Sequence, residues 1–296
     1  GKEGIICFEG GYHGTSIGSL SVAGIPRFRK PFTDQIAENG HIVPYGTTGL
    51  DELLSIVNLK NIGAIIVEPI LGRGGKVVPD DNFLPSLRKI CDDNNIILIM
   101  DEIYHGLTFG GRPTTALVHS DSVIVVNSFS KFFSMTGWRV GWAIFPPDLV
   151  DTVERLAQNM YIGPPRPMQA GAIAAFDDYA LLDVEVARYR ENRDLLIRGL
   201  PQDFLGDMAP CEGAFYIYAD ISALGMKTPD SIRMAEAMLT EAHVACTPGV
   251  DFDQEQGHRH LRLSFAGSTA DMKEASRRIN DWLPSYLKQA GIAAAE

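Results

Sequence analysis

The stretch "SVIVVNSFSKFFSMTGWRVGW", residues 122–142, joins a run of β-branched apolar residues to a turn crowded with hydroxyls, glycines and two cations. Apolar side chains at successive positions of 122–128 point to both sides of a sheet, so this run reads as a strand buried on both faces. Lys131 and Arg139 follow where the strand's carboxyl end opens. In that place desolvation and like charge disfavour the ammonium form of the lysine. A neutral amine in a pocket is a nucleophile toward aldehydes, which is the chemistry of Schiff bases. The competing reading is a lysine whose stem is buried while its head reaches water.

Four similar runs lie upstream: "GIICFEG" (4–10), "HIVPY" (41–45), "AIIVEPI" (64–70) and "IILIMDE" (96–102). Between the last two, "NFLPSLRKICDDNN" places Leu84, Leu87, Ile90 and Cys91 at helical spacing, with Asn94 and Asn95 as a stop. This alternation predicts a doubly wound, mostly parallel α/β sheet. Ligands collect at the carboxyl ends of the strands in such sheets, where Glu68, Asp101 and Ser128 fall. Beyond residue 148 the pattern changes. Helices are predicted over 148–160, 167–175, 183–200, 229–242 and 269 to about 288. "GAFYIYAD" and "HLRLSFA" alternate as half-exposed strands do. The expected organisation is a large domain over 1–160, then connecting helices and a smaller α+β domain over 161–296, with a fraying Ala-rich tail.

The chain of 296 residues carries a net charge of -11. That charge argues against nucleic acid or an anionic membrane as the main partner, since both would be repelled. Its four cysteines form no CxxC pair, so neither a zinc site nor a disulfide framework is expected. Cys91 falls on an apolar helix face and reads as core. No apolar run of membrane-spanning length and no signal-peptide pattern appears, which makes a cytoplasmic setting the expectation. The chain starts at Gly1 rather than Met, as a fragment would.

Ser128, Ser130 and Arg139 lie close in sequence, and a tight turn at Thr136-Gly137 would return the guanidinium to the hydroxyls. Hydroxyls and a guanidinium suit a phosphate dianion. An imine-forming amine beside a phosphate site suggests pyridoxal phosphate (PLP). Its ring nitrogen needs a carboxylate to stay protonated, and Asp101 ends a neighbouring apolar run. Tyr104, three residues on, could donate to the cofactor's phenolic oxygen. Asp101 also reads as a helix N-cap.

Other motifs point elsewhere only faintly. "SFSK" (128–131) fits S-x-x-K but lacks its companions, and "GRGGK" lacks phosphate-loop spacing. His258 and His260 flank Arg259 without a third ligand, so no metal site is expected. His13 and His105 adjoin the candidate site and could touch substrate or serve as hydrogen-bonded struts.

"SFSKFFSMTGWRVGW", "DEIYHGLTFGG", "EGAFYIYADIS", "VACTPGVDF" and "LRLSFAGS" together resemble the class I/II aminotransferases of the fold-type I PLP enzymes, from about residue 96 onward. The resemblance implies that Lys131 carries the cofactor, Asp101 partners the pyridinium, and Tyr104 partners the phenolate. It further implies that Ser128, Ser130 and Arg139 hold the phosphate and that Arg262 binds the substrate α-carboxylate. "GKEGIICFEGGYHGTSIGSLSVAG" and "AIIVEPILGRGGKVVPDDNFLPSLRKICDDNNIILIMDE" resemble class III aminotransferases instead. There Tyr12 would stack on the pyridine ring. The class I signature "NPNNPTG" is absent, and Arg73 stands where class III has an acid. Both families carry roughly 100 further residues upstream, including a phosphate-binding helix N-terminus.

The expected function is amino transfer between an amino acid and a 2-oxo acid, in a homodimer. Other PLP reactions on the same fold, β-elimination or decarboxylation, stay open. So does a non-catalytic or incomplete PLP-fold module.

Overall fold

A computed structural model of the chain describes residues 1–56 and 58–292, and only the backbone of residue 56. The Ala-rich end, 293–296, lies outside the described residues. Two compact units are present: Gly1–Gly106 with Arg112–Tyr179, and Leu107–Gly111 with the chain from Ala180 onward. The helix Arg166–Ala175 thus belongs to the first unit.

The first unit is built on a six-stranded sheet: β1 (Gly4–Phe8), β2 (Gly40–Val43), β3 (Ile62–Val67), β4 (Ile97–Asp101), β5 (Val123–Ser128) and β6 (Gly141–Ile144). Their order is β2-β1-β3-β4-β5-β6. The first five run parallel, as their apolar runs predict, and β6 pairs antiparallel with β5. After β1 the chain steps outward to β2. From β3 onward it winds the other way, so the order reverses between β1 and β3. Loops diverge at such a reversal and leave a crevice at the strands' carboxyl ends.

The core joins sheet residues Ile6, Phe8, Ile65, Val67, Leu98 and Val125 to Leu50 and Leu53 of the helix Thr47–Ile56 and to Phe83, Leu87 and Cys91 of the helix Phe83–Asn94. Cys91 is core, 1% exposed. The helix stops where the two asparagines predict. Asn95 adopts the left-handed conformation, φ 53°, and its N–H bonds the carbonyls of Cys91 and Asp92.

β6 is absent from the sequence reading. Four residues with glycine and tryptophan, on an edge with three of the four exposed, carry neither a buried run nor clean alternation. Its pairing has a large consequence. Ser128 faces Gly141, which closes residues 129–140 into a hairpin loop.

In the second unit, β7 (Tyr216–Asp220), β8 (Thr247–Pro248) and β9 (His260–Ser264) form an antiparallel sheet of order β7-β9-β8. Helices Ser231–Thr240 and Thr269–Gln289 belong to the same unit. β9 alternates as expected, with Leu261 and Leu263 buried. β7 does not: Ile217 through Asp220 are all buried. The His260 ring stacks on Tyr218 at 4.6 Å, and the short helix Gln202–Leu205 buries Phe204 and Leu205 beside the strand. Both faces of β7 are therefore covered. Among the described residues no helix is long and apolar enough to cross a membrane.

Candidate active site

Every strand from β1 to β5 ends on the same side of the sheet, and four of them deliver candidate residues there. After β5 the chain enters the loop that β6 closes. Phe129 N–H bonds the Val140 carbonyl at 3.2 Å, and Met135 N–H bonds the Phe129 carbonyl at 3.0 Å. Rings of Phe129, Phe133, Trp142 and Phe176 interlock beneath it with centroids 4.8–5.8 Å apart. Edge-to-face packing of this kind fixes a loop without hydrogen-bonding every residue.

On that platform the Ser128 hydroxyl donates to Ser130 Oγ at 3.0 Å, and Ser130 N–H donates to Ser128 Oγ at 3.1 Å. Arg139 returns to them as the turn predicts. A 3₁₀ turn, Thr136–Trp138, leads into Arg139 at φ 54°. Its Nη1 lies 3.5 Å from Ser130 Oγ and donates to the Thr136 carbonyl at 2.9 Å. A non-glycine residue in the left-handed region costs roughly 1–2 kcal/mol, and here the conformation brings the guanidinium to the hydroxyls. Lys131, half-buried on the same loop, places Nζ 5.4 Å from the centroid of Tyr104.

Asp101, the last residue of β4, is bonded by His13 of the turn after β1, Nδ1 to Oδ2 at 2.9 Å. The His13 side chain is 4% exposed and Asp101 15%. The imidazole occupies one carboxylate oxygen, and the second can accept another proton-bearing nitrogen. His105 is tied instead to structure, with Nδ1 3.1 Å from the Thr114 carbonyl.

Tyr12, one residue before His13, packs its ring 5.5 Å from Phe28, and the Arg73 guanidinium lies 5.1 Å from the Tyr12 centroid. Glu68, just past β3, is 5% exposed and accepts Tyr12 N–H at 2.8 Å and Gly72 N–H at 2.9 Å. Burial raises its pKa to about 7 and Asp101 adds to the rise; the two N–H bonds and His13 oppose it. Neither the His13–Asp101 pair nor the Glu68 bridge is assigned from sequence. Their partners stand 88 and 56 residues away, beyond any local periodicity. The visible signal was a charged residue closing an apolar run.

Arg262 belongs to the second unit. Its guanidinium lies between two rings, 4.3 Å from the Tyr216 centroid and 4.1 Å from that of Phe252. Such contacts hold a planar cation in one orientation.

The donor set in the first unit fits PLP in kind: an amine, a partnered carboxylate, a phenol, an aromatic face, and two hydroxyls with a guanidinium on one turn.

The sequence comparisons agree with that fit. Residues 77–279 match the aminotransferase class I and II family, and the chain belongs to it. Residues 1–128 also match aminotransferase class III, so the first part carries a second family's features. Both are families of PLP-dependent enzymes. Valine–pyruvate aminotransferase of Mycobacterium tuberculosis is 40% identical over 79% of this chain and 60% of its own length. Aspartate aminotransferase of Sulfurisphaera tokodaii is 29% identical over 80% of this chain and 60% of its own. The chain thus spans about 60% of the length of these curated relatives. A crystal structure of an aminotransferase from Mycobacterium tuberculosis superposes with a TM-score of 0.73 at 34% identity, over 95% of this chain and 70% of that one. A single mutant of the Thermus thermophilus aspartate aminotransferase gives 0.69 at 26% identity, over 94% of this chain and 69% of that one.

Proposed function

We propose that the protein is a PLP-dependent aminotransferase moving an amino group between an amino acid and a 2-oxo acid. The observation that supports the reading is the single loop after β5, where the Arg139 guanidinium meets the linked Ser128 and Ser130 hydroxyls and the next residue, Lys131, carries its amine to 5.4 Å from the Tyr104 ring centroid.

PLP, when bound, supplies an electron-withdrawing ring that makes a proton on the substrate's α-carbon removable. Ser128, Ser130 and Arg139 would hold its phosphate. Lys131 Nζ would be the attachment point and the base that moves the α-proton. Asp101, held by His13, would keep the proton on the ring nitrogen, Tyr104 would donate to the phenolic oxygen, and Tyr12 would offer its aromatic face to the ring. Arg262 would pair with the α-carboxylate, a planar guanidinium being suited to two parallel N–H bonds. We further place the protein in the cytoplasm, as a homodimer.

Lys131→Ala tests the reading. It is expected to abolish turnover of any amino acid that the wild type deaminates with a 2-oxo acid acceptor. Turnover near the wild-type rate would contradict the assignment of the base. Product release without an acceptor would indicate elimination instead.

A further inference from the structure

We propose that Glu68 is a positioning residue for Tyr12: its carboxylate ties the turn after β1 to the glycine turn after β3 and so fixes the aromatic face at the sheet's reversal point. The value of that face to the cofactor rests on the function proposed above. The positioning itself does not.

A buried carboxylate is costly unless its oxygens are occupied. Glu68 meets that need with two backbone N–H groups from different turns, one per oxygen. Glycine at 72 eases this approach, since any Cβ would press on its neighbours. A Cβ there would stand 3.1 Å from Tyr104 Cε2 and 3.2 Å from Glu68 Oε2. The next residue, Arg73, lays its guanidinium 5.1 Å from the Tyr12 ring and 5.0 Å from Phe28. One carboxylate therefore holds the backbone of Tyr12 and the turn that carries the cation covering its ring. A carboxylate that merely capped one turn would bond N–H groups of that turn alone, as Asp230 does with Ile232 and Arg233.

The bridge needs the ionised form, since a protonated oxygen would turn a donor toward an N–H. Three other titratable groups act on Glu68: Asp101 at the end of β4, His13 beyond β1, and Tyr45 beyond β2, whose hydroxyl donates to Glu68's own carbonyl at 2.9 Å. With Glu68 titrating near 7, one turn lets go as pH falls through neutrality.

The test follows the backbone amides of Tyr12 and Gly72 and the ring of Tyr12 by NMR from pH 5 to pH 9, on the whole chain without cofactor. The expected result is that all three titrate together in the wild type and lose that titration in Glu68→Gln. Amides that titrate while the ring stays fixed would overturn the proposal. So would a ring titration that persists in Glu68→Gln, which would belong to another group. If Glu68→Gln fails to fold, Glu68→Asp serves, since its carboxylate is one methylene too short to span both turns. A joint titration unchanged in that variant would likewise overturn the proposal. A parallel titration with PLP is expected to show affinity about tenfold weaker in Glu68→Gln, the loss of one charge-assisted hydrogen bond. Absence of PLP binding in the wild type would count against the proposed function and leave the NMR result to decide the role of Glu68.

Discussion

Arg139 and Glu68 show how single residues carry the site. Arg139 holds a left-handed backbone and contacts Ser130, so Arg139→Ala removes the guanidinium from the proposed phosphate seat while relieving nothing in the turn. Hydrogen bonds to charged groups contribute about 1.5–3 kcal/mol each, so PLP affinity measured by absorbance is expected to fall about 10-fold to 100-fold. Glu68 makes a separate prediction for stability. Its folded pKa, raised by burial to about 7 from 4.5, makes ionisation harder in the folded state than in the unfolded one. Burying the charge costs more than the two N–H bonds return. The stability linked to Glu68 is therefore fully present below about pH 4.5, with the carboxyl protonated, and is lost as pH rises through 7 even though the ionised form makes the bridge. Melting temperatures from pH 4 to pH 8 are expected to show this decline in the wild type and not in Glu68→Gln. A parallel decline in both would assign the effect to another group. The candidate residues on the β5 loop, and Asp101 and Tyr104, were legible in sequence because each lies within a few positions of an apolar run. His13's partnership with Asp101 was not, because only the parallel pairing of the strands brings residues 13 and 101 together.

At the scale of elements, close backbone contacts do what side chains cannot. Gly24 presses onto the end of β1: its N–H donates to the Gly11 carbonyl at 2.8 Å and its carbonyl accepts Gly10 N–H at 3.1 Å. A Cβ there would stand 1.8 Å from the Phe8 carbonyl oxygen, so the loop must move. Gly24→Ala is expected to destabilise by about 1–3 kcal/mol in urea unfolding and to disturb the Tyr12 turn. A change under about 0.5 kcal/mol would contradict that packing. In the second unit Asp220, at the end of β7, bonds Arg259 and Ser222. Burial alone would raise its pKa, but those bonds outweigh it and hold the group at about 2. The stability this adds is present above about pH 4 and is lost as pH falls toward 2. Arg259→Met is expected to bring acid unfolding to higher pH. The strands of the parallel sheet were readable because burial on both faces writes a continuous apolar run. β6 was not, since four mostly exposed edge residues carry no such run, nor was the full burial of β7, which depends on neighbours outside the strand.

For the whole molecule, the sheet of the first unit carries the candidate cofactor residues, and the second unit carries Arg262. The mixed family character follows the chain: class III features over 1–128 and class I and II features over 77–279, on one strand order. Ligand binding to the folded state must stabilise it. PLP at about 100 times its dissociation constant should add about 2.7 kcal/mol, read as a rise in melting temperature that Lys131→Ala diminishes. The central claim is that the loop after β5 is a PLP seat, and an absorbance titration of the purified chain with PLP, wild type against Lys131→Ala, tests it most directly. A visible band that needs Lys131 and becomes covalently fixed by borohydride is the expected result. The same spectrum in both proteins, with no label retained after borohydride, would contradict it.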